Sequence, residues 1–164
     1  MNGRYENGAL PEKVRLLYEA VLAMVTDGWD INRMKVSDIT AQAGIGKGTA
    51  YEYFSSKEEI IANAVLYDVE MRLAHVLEIT KGEGDFAGKF VQILTYMEEV
   101  FAKRQAFCLL VRIGTGSYEV SESMRRECEK RQQALGCHLA DRIVESLMLS
   151  LIHISEPTRL RRIS

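Results

Sequence analysis

The segment AGIGKGTAYEYFSSKEE, residues 43–59, places three glycines around one lysine, followed by aromatic residues and a charged helix start. Such a cluster is found in loops that hold a nucleotide phosphate or in the tight turn between two short helices. A phosphate-binding loop GxxxxGK[ST] would need glycine and then serine or threonine where the chain has Ala41 and Gly48. The dinucleotide fingerprint GxGxxG beginning at Gly44 has Thr49 in place of its last glycine. Nucleotide binding is therefore disfavoured.

The residues on both sides of the turn favour a helix-turn-helix. Apolar residues recur at three- and four-residue steps over residues 11–25, which is typical of an amphipathic first helix. The pattern then predicts short helices over residues 36–43 and 47–53, separated by the glycine turn. Ser56, with Glu59 three residues later, has the form of a capping box that begins a fourth helix.

The rest of the chain also has helical periodicity without convincing strand alternation, so we predict an all-α fold. Further helices are expected over residues 56–79, 86–104, 105–113 and 118–149. Residues 151–164 continue no helical pattern, contain Pro157 and end in basic residues. Their composition resembles translated vector sequence, so we expect a non-native tail behind a C-terminally truncated protein.

The composition is that of a globular protein and limits how it could bind nucleic acid. The 164 residues are 47% hydrophobic and 27% charged, with a net charge of −2, so any contact with DNA must be local. No apolar run is long enough to span a membrane and no signal peptide is recognisable, so a cytoplasmic protein without a membrane partner is expected. Cys108, Cys128 and Cys137 lack metal-site spacing and are expected to be reduced thiols.

The start of the helix after the turn carries side chains suited to DNA. In a helix-turn-helix this helix lies in the major groove, with its N-terminal residues closest to the base edges. Lys47 can donate to guanine, Thr49 can hydrogen-bond or contact a thymine methyl, and Gly48 lets the backbone come close. Tyr51 and Tyr53 can give hydroxyl groups to phosphates, which position the protein without reading sequence.

At these residues the sequence resembles the TetR family of bacterial transcription regulators. The specific match covers about residues 11–61, and the remainder agrees only in helical layout. It is carried by Val36, Asp38, Ile39, Ala43, Gly44, Ile45, Lys47, Gly48, Thr49, Tyr51, Tyr53, Phe54 and Ser56–Glu59. Thr40, Ala50 and Glu52 depart from the usual pattern, and a carboxylate at Glu52 would be repelled by phosphate.

The resemblance implies a three-helix DNA-binding domain over residues 8–58 and a partial helical effector-binding and dimerisation domain over residues 59–150. It implies a full-length homodimer, most simply a repressor released from a near-palindromic double-stranded DNA operator by a small-molecule effector. The family's base-contacting positions fall on Lys47, Gly48 and Thr49. Its phosphate-contacting and supporting positions fall on Val36, Ser37, Tyr51, Tyr53 and Lys57.

Aromatic and methionine side chains of the second domain are candidates for an adaptable pocket. They are His75, Tyr96, Met97, Phe101, Phe107 and Met124. Side chains of these types are more often core than pocket, and a pocket formed by them would take an apolar or amphipathic effector.

Simpler interpretations stand beside several of these roles. Tyr51 and Phe54 are candidates for the core, Trp29 is expected to pack between the first and second helices, and Lys57 could be a plain solvated residue. An all-α protein-interaction module without DNA binding is the alternative function. A small helical enzyme has no support, because no nucleophile–base pair or carboxylate pair stands at catalytic spacing. No metal and no cofactor are expected.

Overall fold

The computed structural model describes residues 10–102, 108–109, 112–113, 115–131, 143–146 and 148. Over these residues the secondary structure is helical without any strand, which confirms the all-α prediction. The helices are α1 (Glu12–Thr26), α2 (Val36–Ala43), α3 (Lys47–Tyr53), α4 (Lys57–Lys81) and α5 (Phe86–Ala102). Phe107, Cys137 and the predicted tail 151–164 lie outside the described residues. None of the described helices is long and apolar enough to cross a membrane.

The later part of the chain departs from the predicted helix limits. Residues 108–109 and 112–113 are helical, but residues 115–121 form turns and bends and then irregular backbone, and the next helical segment covers residues 122–131. The prediction of a helix from residue 118 was therefore wrong at its start. The physical reason is Ser121, whose hydroxyl accepts the Met124 N–H at 3.3 Å and so caps the segment there.

The core forms where α1 crosses α4. Helix α1 begins after Pro11, whose carbonyl accepts the N–H groups of Val14 and Arg15, each at 3.0 Å. Its apolar stripe is buried, and the N-terminal half of α4 packs against it. The buried residues are Val14, Leu17, Tyr18, Val21 and Met24 of α1 with Ile60, Ile61, Ala64 and Val65 of α4. Each fully buried side chain of this size stabilises the fold by about 1.5–3 kcal/mol.

Helices α2 and α3 pack against this core through a few buried side chains. Ile39 of α2 and Ala50 of α3 are completely buried, and Phe54, directly after α3, is nearly so. The Phe54 ring lies 6.0 Å from the Tyr18 ring, measured between centroids. The core role of Phe54 is thereby confirmed. Tyr51, by contrast, is 51% exposed and does not belong to the core.

The expected position of Trp29 was wrong. This indole is 52% exposed and does not fill the space between α1 and α2. Ile31 and Met34 of the same loop take the buried positions, with 1% and 0% of their surface exposed. The two aliphatic side chains occupy the core that a large indole was expected to fill.

The buried set also extends past the helix-turn-helix. Leu109, Ile113, Met124 and Cys128 belong to the same buried cluster as α1 and the first half of α4. Cys108 and Cys128 are free thiols, and burial raises the pKa of Cys128 above its ordinary value. The domain boundary between residues 58 and 59 stays a prediction, since apolar packing is continuous across it.

The turn between α2 and α3 depends on Gly44. This residue has a φ of +67° in the left-handed region, and its N–H donates to Ala41 O at 3.2 Å. The next amide, of Ile45, donates to Thr40 O at 3.0 Å. These two bonds satisfy carbonyls at the end of α2 and turn the chain into α3.

We expect Gly44→Ala to lower the free energy of unfolding by about 1–2 kcal/mol, because only glycine adopts this backbone conformation without a penalty. A methyl group at this position would touch nothing within 4 Å, so the cost comes from the backbone alone. The matched control is Gly46→Ala, since Gly46 has a φ of −71° and equally open surroundings. Its effect should stay within about 0.5 kcal/mol. Urea denaturation followed by circular dichroism measures both, and equal losses would contradict the argument.

Candidate nucleic-acid interface

The N-terminus of α3 is presented to solvent because its opposite side is anchored. Ala50 is completely buried, which fixes the rotation of this seven-residue helix against the core. Lys47 and Gly48 are exposed and Thr49 is half-buried. Gly46 precedes the helix with extended backbone, so the chain enters α3 directly from the turn. The three predicted base-contacting residues therefore stand together at one exposed helix end.

Lys47 and Tyr51 form a pair on the exposed side of α3. The Lys47 ammonium lies 6.0 Å from the centre of the Tyr51 ring, one helical turn away. A cation held near an aromatic face at an exposed site contributes about 0.5–1 kcal/mol. The contact holds a positive charge and a phenol on the same surface. Glu52 and Tyr53, also exposed, follow on the same helix, so a carboxylate stands beside the predicted phosphate contacts.

The start of α2 offers less than the resemblance implies. The Val36 side chain is buried, so only its backbone could meet a phosphate. Ser37 is exposed, and its hydroxyl lies 3.4 Å from Asp38 Oδ1. The other Asp38 oxygen accepts the Lys35 N–H at 3.0 Å, which gives this helix end a carboxylate of its own.

Lys57 makes contacts that the sequence did not indicate. Its ammonium donates to Asn32 O at 2.8 Å and to Met34 O at 3.2 Å, across more than twenty residues of sequence. The first turn of α4 is thereby joined to the loop before α2. Lys57 is neither a plain solvated residue nor a side chain held ready for phosphate alone, because two of its three donors are taken.

The start of α4 also differs in detail from a full capping box. The Ser56 hydroxyl accepts the Glu59 N–H at 3.1 Å, as predicted. The Glu59 carboxylate, however, accepts the N–H and the hydroxyl of Ser55, at 2.8 and 2.7 Å, instead of the Ser56 N–H. Both arrangements satisfy amide groups ahead of the helix and fix the path from α3 into α4.

The loop between α1 and α2 is joined to residues 115–121 as well as to α4. The Tyr118 hydroxyl donates to Asp30 Oδ1 at 2.7 Å, and the Asn32 side-chain amide donates to Glu119 O at 2.9 Å. The Tyr118 hydroxyl and then the Asn32 N–H hold the pKa of Asp30 below its ordinary value. Burial and the Asp30 carboxylate raise the pKa of Tyr118 to about 12. Nothing in the spacing of the sequence singles out these three side chains.

The predicted effector residues are not gathered in one pocket among those described. The His75 and Tyr96 rings lie 4.5 Å apart, between α4 and α5, with His75 exposed and Met97 half-buried. Phe101 is exposed on the wall of a cleft at the C-terminal end of α1, and Met124 is buried in the main core. Within the described ranges, no group of three or more histidine, cysteine or acidic side chains could hold a metal ion.

Two short helices joined by a left-handed glycine turn, with the N-terminus of the second helix exposed, define a helix-turn-helix protein. Comparison with known proteins indicates which kind of helix-turn-helix protein this chain is similar to. Residues 30–64 match the family model of bacterial regulatory proteins, tetR family. This match overlaps residues 11–61, over which the sequence resembles the same family.

A curated relative matches over a longer stretch. The chain is 25% identical over 132 residues to the uncharacterized HTH-type transcriptional regulator YuxN of Bacillus subtilis (strain 168). The match covers 79% of this chain and 44% of that protein, so the chain spans less than half the length of this relative.

We expect Lys57→Met to lower the free energy of unfolding by about 1–2 kcal/mol, because two charge-assisted hydrogen bonds are lost. Lys13→Met is the matched control, since Lys13 is exposed and its change should stay within about 0.5 kcal/mol. Chemical denaturation of the two variants and the parent chain measures this difference. Equal stability of the two variants would contradict a positioning role for Lys57.

Proposed function

We propose that this protein is a DNA-binding transcriptional regulator. The observation that carries the proposal is the exposed N-terminus of α3, held outward by the burial of Ala50. In the major groove, Lys47 would donate to guanine O6 and N7, and Thr49 would contact the neighbouring base. Gly48 would allow the backbone to approach without a side chain in between.

Contacts to phosphate would set the register of α3 in the groove. Tyr51 and Tyr53 have exposed rings whose hydroxyls can donate to phosphate oxygens. Ser37 and the backbone at Val36 add donors at the start of α2. Lys57 acts mainly by fixing α4 to the loop before α2, so its contribution to affinity comes through the position of the helices.

The regulatory part of the proposal follows the family resemblance. A homodimer would place two copies of α3 on a near-palindromic double-stranded operator in the cytoplasm. The protein would act as a repressor, and a small apolar or amphipathic effector would favour a dimer geometry in which the two helices no longer fit. Such release requires the effector to bind the two geometries with different affinity.

The local charge favours the alternative of a protein-interaction module. Residues 10–66 contain six lysines and arginines against eight aspartates and glutamates. A DNA-binding surface must therefore concentrate its few cations, and its affinity should depend on salt less steeply than that of a basic domain. The dependence of affinity on salt is consequently the measurement that separates the two functions.

The test begins with selection of bound duplexes from a random-sequence pool, followed by affinity measurements on the selected duplex at several salt concentrations. A regulator should enrich a near-palindromic sequence and show a negative linear slope of log K against log salt. Lys47→Ala should cost about 1–3 kcal/mol per half-site and relax the preference for guanine. Absence of enrichment, or affinity independent of both salt and Lys47, would favour the interaction module. Repression of a reporter whose promoter overlaps the selected sequence then tests the direction of control.

Gly48→Ala separates DNA contact from stability. Alanine in place of a helical glycine should raise the free energy of unfolding by about 0.5–1 kcal/mol, and the added methyl touches nothing within 4 Å in the free protein. DNA affinity should nevertheless fall, because the methyl would stand between the backbone and the bases. Denaturation and affinity measurements on the same preparation check both effects. Unchanged affinity would contradict a close approach at this position.

A further inference from the structure

A cleft of about 690 Å³ lies at the C-terminal end of α1, and its described lining includes no residue of α3. One wall is formed by residues 25–30 and Asn32, and the other by Phe101 and residues of the 108–119 segment. This volume is within the range of sites that hold drug-sized ligands. None of the predicted pocket residues except Phe101 contributes to it among those described.

Two large aromatic side chains line the cleft without being buried. Trp29 is 52% exposed and Phe101 is 48% exposed, and both contribute to the wall. Exposed aromatic surface is unfavourable in water, and its concentration in a concave site is typical of ligand binding. Aromatic faces attract planar rings and organic cations alike.

The charges around the cleft select between these ligands. Asp27, Asp30 and Glu119 line it, and Arg112 is the only basic side chain of its lining among the residues that the structure describes. The Arg112 guanidinium lies 5.2 Å from the centre of the Tyr118 ring, so it already has an aromatic contact. The cleft also adjoins the C-terminal end of α1, the negative pole of that helix.

Asp27 and Asp30 differ in whether their carboxylates already have partners within the protein. Asp30 accepts hydrogen bonds from Tyr118 and from the Asn32 N–H, and Arg33 Nε lies 3.6 Å from its other oxygen. Asp27 has no basic side chain within ion-pair distance among the residues that the structure describes. Asp27 is therefore the carboxylate best placed to meet a ligand charge.

We propose that this cleft binds an organic cation that carries an aromatic ring. The cationic group would lie near Asp27 at the end of α1, and the ring would lie against Trp29 and Phe101. The binding itself is independent of the proposed function.

The effect of the ligand on DNA rests on the proposed function. Within the cleft, Asp30 and Asn32 are hydrogen-bonded to Tyr118 and Glu119. The Asn32 carbonyl accepts a further hydrogen bond from Lys57 of α4. A ligand that displaces this loop would move the attachment of α4 and the start of α2 together. Its binding would then change the affinity of the regulator for its operator.

The test uses Trp29, which is the only tryptophan in the chain. Titration of the full chain with benzyltrimethylammonium should change the tryptophan fluorescence saturably. Phenylacetate, which has the ring and the opposite charge, should give no saturable change. Equal binding of phenylacetate, or no saturable change with the cation, would overturn the proposal.

A pair of variants tests the charge. Asp27→Asn should weaken binding of benzyltrimethylammonium about three- to ten-fold. Glu70→Gln removes an exposed carboxylate of α4 outside the cleft and should leave the dissociation constant unchanged. Circular dichroism melts of both variants verify folding. Equal dissociation constants for the parent chain and Asp27→Asn would overturn the assignment of the cation to Asp27.

The outcomes separate the site from the proposed function. Saturable cation binding that is weakened by Asp27→Asn upholds the site, even if the duplex selection finds no operator. If an operator is found, its affinity measured with and without the saturating cation tests the coupling. An unchanged operator affinity would overturn the coupling through Asn32 and leave the site standing.

Discussion

The geometry of the helix-turn-helix depends on two completely buried side chains, Ile39 and Ala50, which lie on either side of the Gly44 turn and belong to the same core. A short helix has little stability of its own, so α3 keeps its orientation only while Ala50 remains packed. The left-handed backbone of Gly44 brings the two helices to the angle at which that packing is possible. Every exposed side chain of α3 derives its direction from this one arrangement.

The loop between α1 and α2 is the second constraint, because it connects parts of the chain that are distant in sequence. Lys57 binds its carbonyl groups from α4, and Tyr118 and Glu119 bind its side chains from the opposite side. The loop thus has defined contacts on both sides although it contains no regular structure. Its position follows from the sum of a few polar contacts, each of modest strength.

Local patterns in the sequence predicted the limits of α2 and α3 well, since Gly44 and the apolar spacing determine them within a few residues. The contacts of Lys57 could not be predicted, because they depend on two carbonyls more than twenty residues away. Trp29 was misplaced because Ile31 and Met34 compete for the same buried space, and periodicity does not rank such candidates. The gathering of pocket residues depends likewise on how α4 and α5 pack, which no local pattern encodes.

Helix α4 is continuous from Lys57 to Lys81, which corresponds to a rod about 37 Å long. Its N-terminal half is buried against α1, and its C-terminal half leads to the short loop before α5. A tilt of about 5° around one end of such a rod displaces the other end by about 3 Å, which is the length of a hydrogen bond. Lys57 binds the loop before α2 at the N-terminal end of α4. A tilt of α4 that moves this end would therefore move the loop and α2 together with it.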